Sequence, residues 1–468
     1  MKRVAIIGAG PAGISAAAAL AGKAGLHVTL LDEGRAPGGQ IFRQPHPGLA
    51  ADMKTILGAD HARYERFQQL CRTVLPQIEY RPLTLVWNIF DATLMTLEGG
   101  RAGSLPYDAL IIATGATDRT MPVAGWTKPG VYTPGGAQVL LKEQGCLIGQ
   151  RVVFCGSSPL LYLAAVQYRR AGGTVTAVLD TTSMVEKALA VPKLLAMPKL
   201  LKDGIAYMVG LKREGVVVQT GVRLEAFEGS DAVSAVRYNH GGRDKTVDCD
   251  AVACGFGLRP ETQLAELAGC ALAYDDVRRQ WYPAHDSQGR CGNSVYVAGD
   301  GASMGGADAA MLSGKRAAMA LLADVGMSAS SEAVNETEVH RLERCFTFQR
   351  GISRAFAWPA ARMAELADDV TLCRCENITI GEVRRELSRD GGAEEANRTK
   401  AATRCGMGRC QGRFCGAALA EIVALETGAM ATEPVARLRA QPPVKPLPIS
   451  AIAEAFIAEA SMAEETVA

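Results

Sequence analysis

RVAIIGAGPAGISAAAALAGKAGLHVTLLDEG, residues 3–34, decides the fold. Val4–Ile7 reads as a short buried strand that runs into a tight turn, and "ISAAAALAGKAG" continues as a helix. Gly8, Gly10 and Gly13 give G-x-G-x-x-G, with Pro11 and Ala12 inside it. Gly8 permits the sharp turn, Gly10 lets the backbone approach a pyrophosphate, and Gly13 lets the helix pack close to the strand. The phosphates would sit at the positive helix N-terminus. "HVTLLDEG" is the next strand, with Asp32 and Glu33 at its end. One of the two should accept hydrogen bonds from a ribose. Asp32 aligns better, and Glu33 is the alternative. Strand, glycines, helix, strand and acid in register make a specific dinucleotide signature.

Three further stretches favour FAD over NAD. "PGGQIFRQ" (37–44) brings Gly38, Gly39 and Gln40 directly after the acid. "YDALIIATGA" (107–116) is an apolar strand ending in Thr114 and Gly115, and "SVYVAGDGA" (294–302) is another, ending in Gly299 and Asp300. "GQRVVFCGSSPLLYLAAVQYRRAGGTVTAVLD" (149–180) repeats the strand–turn–helix–strand plan with eroded glycines. Gly156 remains, but Ser158 takes the second glycine position and Leu161 the third. A side chain at 158 crowds a pyrophosphate, and Leu161 should hold the helix off the strand. Asp180 still ends the following strand, which leaves an adenine nucleotide open there. NAD(P)H oxidation is correspondingly disfavoured.

The chain has 468 residues and is too long for one ordinary core, so two to four domains are expected. A formal net charge of +1 gives no argument for nucleic acid or an anionic membrane. The N-terminus has the basic start and apolar stretch of a secretory signal, but the glycine spacing and the acid that follow explain it better. No apolar run is long enough to span a bilayer. "ALAVPKLLAMPKLLKDGIAYMVGL" (188–211) is apolar but broken by charges, and is expected to be a buried helical hairpin or a subunit contact. The 13 cysteines are odd in number and mostly scattered, which argues for a reducing, cytoplasmic setting and against a disulfide framework. No thiol pair lies in "GGQIFRQPHPG", as a flavoprotein disulfide reductase would need. Cys249 and Cys254, five apart on an expected strand, should point to opposite faces and serve as core residues.

Four other cysteines form two close pairs near the C-terminal end. Cys373 and Cys375 give C-x-C in "TLCRCENITI", and Cys410 and Cys415 give C-x4-C in "GMGRCQGRFC". Each pair precedes a helix-like stretch, whose free N–H groups favour thiolate and sulfide. Neither pair has the C-x2-C knuckle of structural zinc, so an iron–sulfur centre is the better reading. Arg398, Lys400, Arg404, Arg409 and Arg413 surround the second pair with no acid between 396 and 415, which would favour the reduced state. Cys405 is a spare thiol that could swap in as a ligand.

"CRCENITIGEV" and "KAATRCGMGRCQGRFC" resemble the bacterioferritin-associated-ferredoxin-like [2Fe-2S] domain. "GAGPAG", "PGGQ", "ATGATDR" and "VAGDGA" resemble the pyridine-nucleotide-disulfide-oxidoreductase-like flavoproteins. In this order, and with "RAQPPVKPLPISAIAE" near the end, the chain resembles the A (α) subunits of opine oxidases, hydrogen cyanide synthase and heteromeric proline or hydroxyproline dehydrogenases. The resemblance implies an α/β, two-dinucleotide-binding-domain flavoprotein with a small α-helical [2Fe-2S] module. It places FAD against Gly8, Gly10, Pro11, Ala12, Gly13, Asp32 or Glu33, Gly39, Gln40, Thr114, Gly115, Gly299 and Asp300. It puts the cluster on Cys373, Cys375, Cys410 and Cys415, and allows an adenine nucleotide or FMN at the second site or a subunit interface.

The implied organisation is an FAD domain at 1–125 and 255–325, a degenerate nucleotide domain at 126–254, a connector at 326–365, the cluster module at 366–428 and a Pro-containing tail at 429–468. The implied function is electron transfer. A D-amino-acid-oxidase-like partner subunit with its own FAD would cleave the C–N bond of an opine or amino acid. Electrons would leave to a quinone or another acceptor, with peripheral contact to the inner membrane through it. No catalytic acid or base is expected in this chain. Two alternatives stand beside it: a self-sufficient NAD(P)H-dependent reductase using its own cluster, and an iron–sulfur redox sensor or scaffold.

Overall fold

The last four residues of Lys2–Ile7 are buried because parallel neighbours flank the strand and helices cover it. In the computed structural model it pairs with Leu26–Leu31 on one side (Val4 opposite Val28) and Ala109–Ile112 on the other (Val4 opposite Ala109). The structure describes residues 1–49, 52–327, 335–428, 436–451 and 453. The first sheet has six strands in the order Arg290–Gly292, Val295–Val297, Ala109–Ile112, Lys2–Ile7, Leu26–Leu31, Glu79–Arg81. One layer is thus assembled from two distant stretches of chain. The alanine-rich helix Pro11–Leu20 lies against Ala307–Asp324 so closely that a Cβ on Gly314 would fall 2.0 Å from the Ala12 carbonyl oxygen. Small residues on both helices permit that approach.

The second sheet has five parallel strands in the order Val217–Thr220, Thr174–Asp180, Arg151–Gly156, Ala251–Gly255, Val131–Tyr132. Each parallel layer carries a three-stranded antiparallel sheet beside it, Thr84–Phe90 to Arg101–Pro106 in one case and Arg223–Glu228 to Arg243–Asp248 in the other. The architecture is the α/β two-dinucleotide-domain fold expected from the glycine motifs. The helix Glu336–Ala355, started by a capping box of Asn335 and Glu338, leads from it to the cysteine module. That module is a ribbon of Thr371–Cys373 and Ile378–Thr379 followed by helices Ile380–Ser388, Ala396–Thr403 and Gly416–Glu426. Its apolar side shares one core with the second sheet, Leu372, Ile380, Leu419 and Val423 packing with Val153, Leu179 and Val252.

Two expectations change. The stretch 188–211 falls on two helices, Met184–Leu194 and Pro198–Arg213, but the hairpin is not buried. Val185, Leu189, Leu195 and Ile205 are each more than half exposed, because only Ala190, Leu194 and Leu211 turn inward. Cys249 precedes the strand Ala251–Gly255 that holds Cys254, so the two do not share one. Both are buried and free, and Cys254 meets the Cys155 thiol on the neighbouring strand instead. The tail from 436 to 451 lies against the body. The Val444 amide donates to the Trp87 carbonyl, and Arg437 pairs with Glu266. Of the tail, 429–435, 452 and 454–468 lie outside the described residues.

Candidate flavin and iron–sulfur sites

Four loops converge at the C-terminal ends of the first sheet. A Cβ on Gly8 (φ +104°) would sit 2.4 Å from the Ala113 carbonyl oxygen, beside Thr114, and one on Gly13 would sit 1.8 Å from the Gly8 carbonyl oxygen. A Cβ on Gly39 would reach Gly10 Cα at 3.0 Å, one on Gly299 would reach Ala12 Cβ at 2.9 Å, and one on Gly301 the Gly115 carbonyl at 3.0 Å. The structure thereby gathers Gly8, Gly10, Pro11, Ala12, Gly13, Gly39, Thr114, Gly115, Gly299 and Asp300.

Gly10 differs from its neighbours. Its φ is −75°, and a Cβ there meets only Gly39 Cα, at an ordinary 3.7 Å. Protein packing demands glycine at 8 and 13 but not at 10. The missing side chain is explained by what lies outside the protein at that point. The helix that begins at Pro11 has no side-chain cap and no acid in its first turn, so its N–H groups are free for an anion. These features fit a pyrophosphate.

The Asp32 carboxylate accepts from the Ala9 amide at 2.5 Å and the Gly34 amide at 2.6 Å, which points it at the glycine turn. Burial raises its pKa, and the two amides oppose that rise. Glu33 faces away, exposed, and pairs with Lys445 of the tail. Asp300 accepts from the Gly305 and Gly306 amides, both at 2.9 Å. Gln40 is exposed and bonds Arg43.

The second glycine turn is built alike and filled differently. Gly156 (φ +121°) again turns the strand. Ser158 caps the helix Pro159–Arg170 with its own hydroxyl, accepting from the Leu160 amide at 3.1 Å. Leu161 is buried among Val152, Phe154 and Tyr168. Asp180 is fully buried and spent on internal partners: Tyr162 Oη at 2.7 Å, the Thr182 amide and hydroxyl at 2.9 and 2.6 Å, and Lys187 Nζ at 2.8 Å. These internal partners count against the adenine nucleotide left open at this turn. The connector also covers this turn. Ser157 Oγ donates to the Ala357 carbonyl at 3.0 Å, Lys187 Nζ to the Ala355 carbonyl at 3.2 Å, and Phe356 packs edge-on to Tyr162.

In the cysteine module the ribbon carries Cys373 and Cys375, and the loop after Ala396–Thr403 carries Cys405, Cys410 and Cys415. The Sγ atoms of Cys373, Cys405 and Cys415 all lie within 4.8 Å of one another, and all three residues are buried. Cys375 and Cys410 are partly exposed, free and close enough to each other to interact. A Cβ on Gly408 would fall 2.4 Å from Cys375 Cβ, so the loop must close tightly over the ribbon. The Cys373 thiol is driven toward thiolate, first by the Cys405 and Cys415 thiols and then by the Gly406 and Glu376 amides, while Cys405 and Cys415 are correspondingly pushed up. Converging thiols with amide donors fit an anionic sulfur cluster.

The cations do not stand unopposed. Arg404 pairs with Glu376 at 2.9 Å and Arg413 with Glu261 at 2.9 Å, so acids from distant segments answer the acid-free stretch. No local pattern in the sequence marks Glu261. Its amide donates to the Gly115 carbonyl, its own carbonyl accepts from Thr114 Oγ1 at 2.7 Å, and its carboxylate holds Arg259 and Arg413. Arg413 also donates to the Cys410 carbonyl at 3.3 Å. One residue and one ion pair thus join the flavin loop to the cysteine loop. A second clamp lies alongside: Arg279 grips the buried Glu421 through two bonds at 2.8 and 2.6 Å, Trp358 donates to Glu421 at 3.0 Å, and the buried Arg119 stacks on Trp358 at 3.7 Å.

Two-dinucleotide architecture, a flavin cradle and a cysteine nest define an iron–sulfur flavoprotein. Residues 2–320 match the pyridine nucleotide-disulphide oxidoreductase family and residues 371–424 the BFD-like [2Fe-2S] binding domain. The A subunit of opine oxidase from Rhizobium meliloti is 36% identical over 96% of this chain and 87% of its own length. The HcnB subunit of hydrogen cyanide synthase from Pseudomonas aeruginosa is 32% identical over 96% and 98%. An L-proline dehydrogenase from P. horikoshii shares the fold, with a TM-score of 0.70 and 21% identity over 96% of this chain and 79% of that one. The chain belongs to the pyridine nucleotide-disulphide oxidoreductase family, in the branch that carries a BFD-like domain and includes the A subunit of opine oxidase. It is an FAD- and [2Fe-2S]-containing oxidoreductase. No helix among the described residues is long and apolar enough to cross a membrane.

Proposed function

We propose that this chain is the electron-transfer subunit of a heteromeric dehydrogenase whose partner oxidises a C–N bond. The observation that carries the reading is the Thr114/Gly115–Glu261–Arg413–Cys410 connection between the two cofactor loops. When bound, FAD supplies two-electron and the cluster one-electron capacity. The chain's own residues do the holding. The free N-terminus of Pro11–Leu20 would take the pyrophosphate, Asp32 the ribose and Asp300 the ribityl side, while Cys373, Cys375, Cys410 and Cys415 would ligate the cluster. Packing of the module on the second sheet, with the Glu261 and Glu421 ion pairs, fixes the spacing between the two sites.

The relatives named as subunits of opine oxidase and hydrogen cyanide synthase favour an opine, amino acid or imino acid as the substrate class. Their names as subunits also favour a second subunit, which we read as the D-amino-acid-oxidase-like flavoprotein that the sequence resemblance implies. The exposed apolar hairpin at 184–213 is a surface of the kind such a partner covers. The acceptor would be a quinone or a comparable carrier. The self-sufficient NAD(P)H reductase is disfavoured by Asp180 and by the connector over Ser157.

The test is co-purification of a flavoprotein partner with this chain from its native host, followed by dye reduction with a panel of opines and imino acids. Expected is dye reduction by the complex and none by this chain or its partner alone. Full activity of the isolated partner would remove the relay role. Reduction of this chain's flavin by NADH within seconds would instead establish the reductase.

A further inference from the structure

The module holds five thiols, three of them within 4.8 Å of one another, and a [2Fe-2S] cluster takes four. The fifth is placed by a specific turn. The helix Ala396–Thr403 ends on Arg404 at φ +65°, a left-handed conformation held by the ion pair with Glu376. That turn swings the next residue, Cys405, fully inward, where its amide bonds Thr403 Oγ1 at 3.2 Å. The same turn aims the Gly406 amide at the Cys373 sulfur.

The five sulfurs are not equivalent. Cys375 and Cys410 form a half-exposed pair, whereas Cys373, Cys405 and Cys415 form a buried trio within 4.8 Å. Two sulfurs on one tetrahedral metal with bonds of about 2.3 Å stand about 3.8 Å apart. Any two of the trio can approach that spacing by side-chain rotation.

We infer that Cys405 is a reserve ligand on the buried side of the cluster, interchangeable with Cys415. The cluster then survives loss of either thiol but not of both. The exchange replaces one metal–sulfur bond by another, releases the Cys405 proton and oxidises nothing. Opening of the Cys415 bond is caught by a thiol already in place. The inference rests on the [2Fe-2S] reading and on Cys415 as a primary ligand.

The experiment uses the full-length chain, with iron, acid-labile sulfide, visible circular dichroism and FAD measured on each variant. Wild type without iron and sulfide would sink the cluster reading itself. With the cluster present in wild type, Cys405→Ser is expected to keep full iron and an unchanged spectrum, yet lose the cluster several-fold faster under chelator in air. Cys415→Ser is expected to keep most of its iron with a shifted spectrum, and Cys405→Ser/Cys415→Ser to keep less than about a tenth, with FAD retained throughout. Because Cys415 is buried and its variants could fail to fold, the decay rate in Cys405→Ser, where all four primary ligands remain, decides the case. An unchanged decay rate overturns the inference, and so does immediate loss of the cluster, which would make Cys405 a primary ligand. A double variant that keeps its iron also overturns it.

Discussion

The turns at Gly8–Gly13 and Gly156–Leu161 are two versions of one device, and they have gone opposite ways. Both start with a positive-φ glycine with no room for a side chain: a Cβ would fall 2.4 Å from the Ala113 carbonyl oxygen in one case and 2.0 Å from the Gly255 carbonyl oxygen in the other. The first then leaves its helix uncapped and its second glycine facing open space. The second caps its helix with Ser158, fills the core with Leu161 and buries its acid on Tyr162, Thr182 and Lys187. The first glycine serves the fold and is kept in both turns. The second serves a ligand and is kept only in the first.

The sharpest way to break this contrast is Gly10→Val. The protein has room for the added Cβ, so melting of the apoprotein should hardly move. FAD affinity should fall roughly a thousandfold, about 4 kcal/mol, as the side chain enters the pyrophosphate's path. Stoichiometric flavin in that variant would refute the cradle. Asp180→Asn should do the reverse. It leaves the Lys187 ammonium buried without its counter-charge, and denaturant titration should show a loss of about 3 kcal/mol with flavin content intact. Asp32→Asn keeps one acceptor for the two amides, so it should cost about 1 kcal/mol in melting as well as roughly tenfold in FAD binding. The smallest expected effect is Ser158→Ala: about 1 kcal/mol of stability from the lost cap, with flavin content and indifference to NADH unchanged. A gain of rapid NADH oxidation from that single change would show the second turn to be merely capped.

The first turn is readable because its function is carried by backbone, and glycine spacing reports backbone directly. The second is readable as damaged, from Ser158 and Leu161, but not as sealed, because the seal comes from residues 355–357, far along the chain. Asp180 illustrates the limit: an acid at a strand end looks the same in sequence whether a ribose or Lys187 will meet it. Two short spacings single out Cys373, Cys375, Cys410 and Cys415, whereas the close trio is Cys373, Cys405 and Cys415. Cys405 is visible beside them, yet its turn inward depends on the conformation of Arg404. Glu261 leaves no trace, since its partners Thr114, Gly115 and Arg413 lie up to 152 residues away. The apolar stretch at 188–211 gives its helices, and of its two readings, buried hairpin or subunit contact, the exposed Leu189, Leu195 and Ile205 remove the first. Hydrophobicity says that a face wants covering but does not say whether this chain covers it.

The connector that lies over Ser157 and Tyr162 continues, one residue later, into Trp358, which seats Glu421 of the cluster module. Lifting that segment off the second turn would also disturb the Trp358–Glu421 bond that seats the cysteine module. Access to the second turn and docking of the module therefore depend on the same few residues of main chain. Glycines at 158 and 161 alone would leave that segment where it lies.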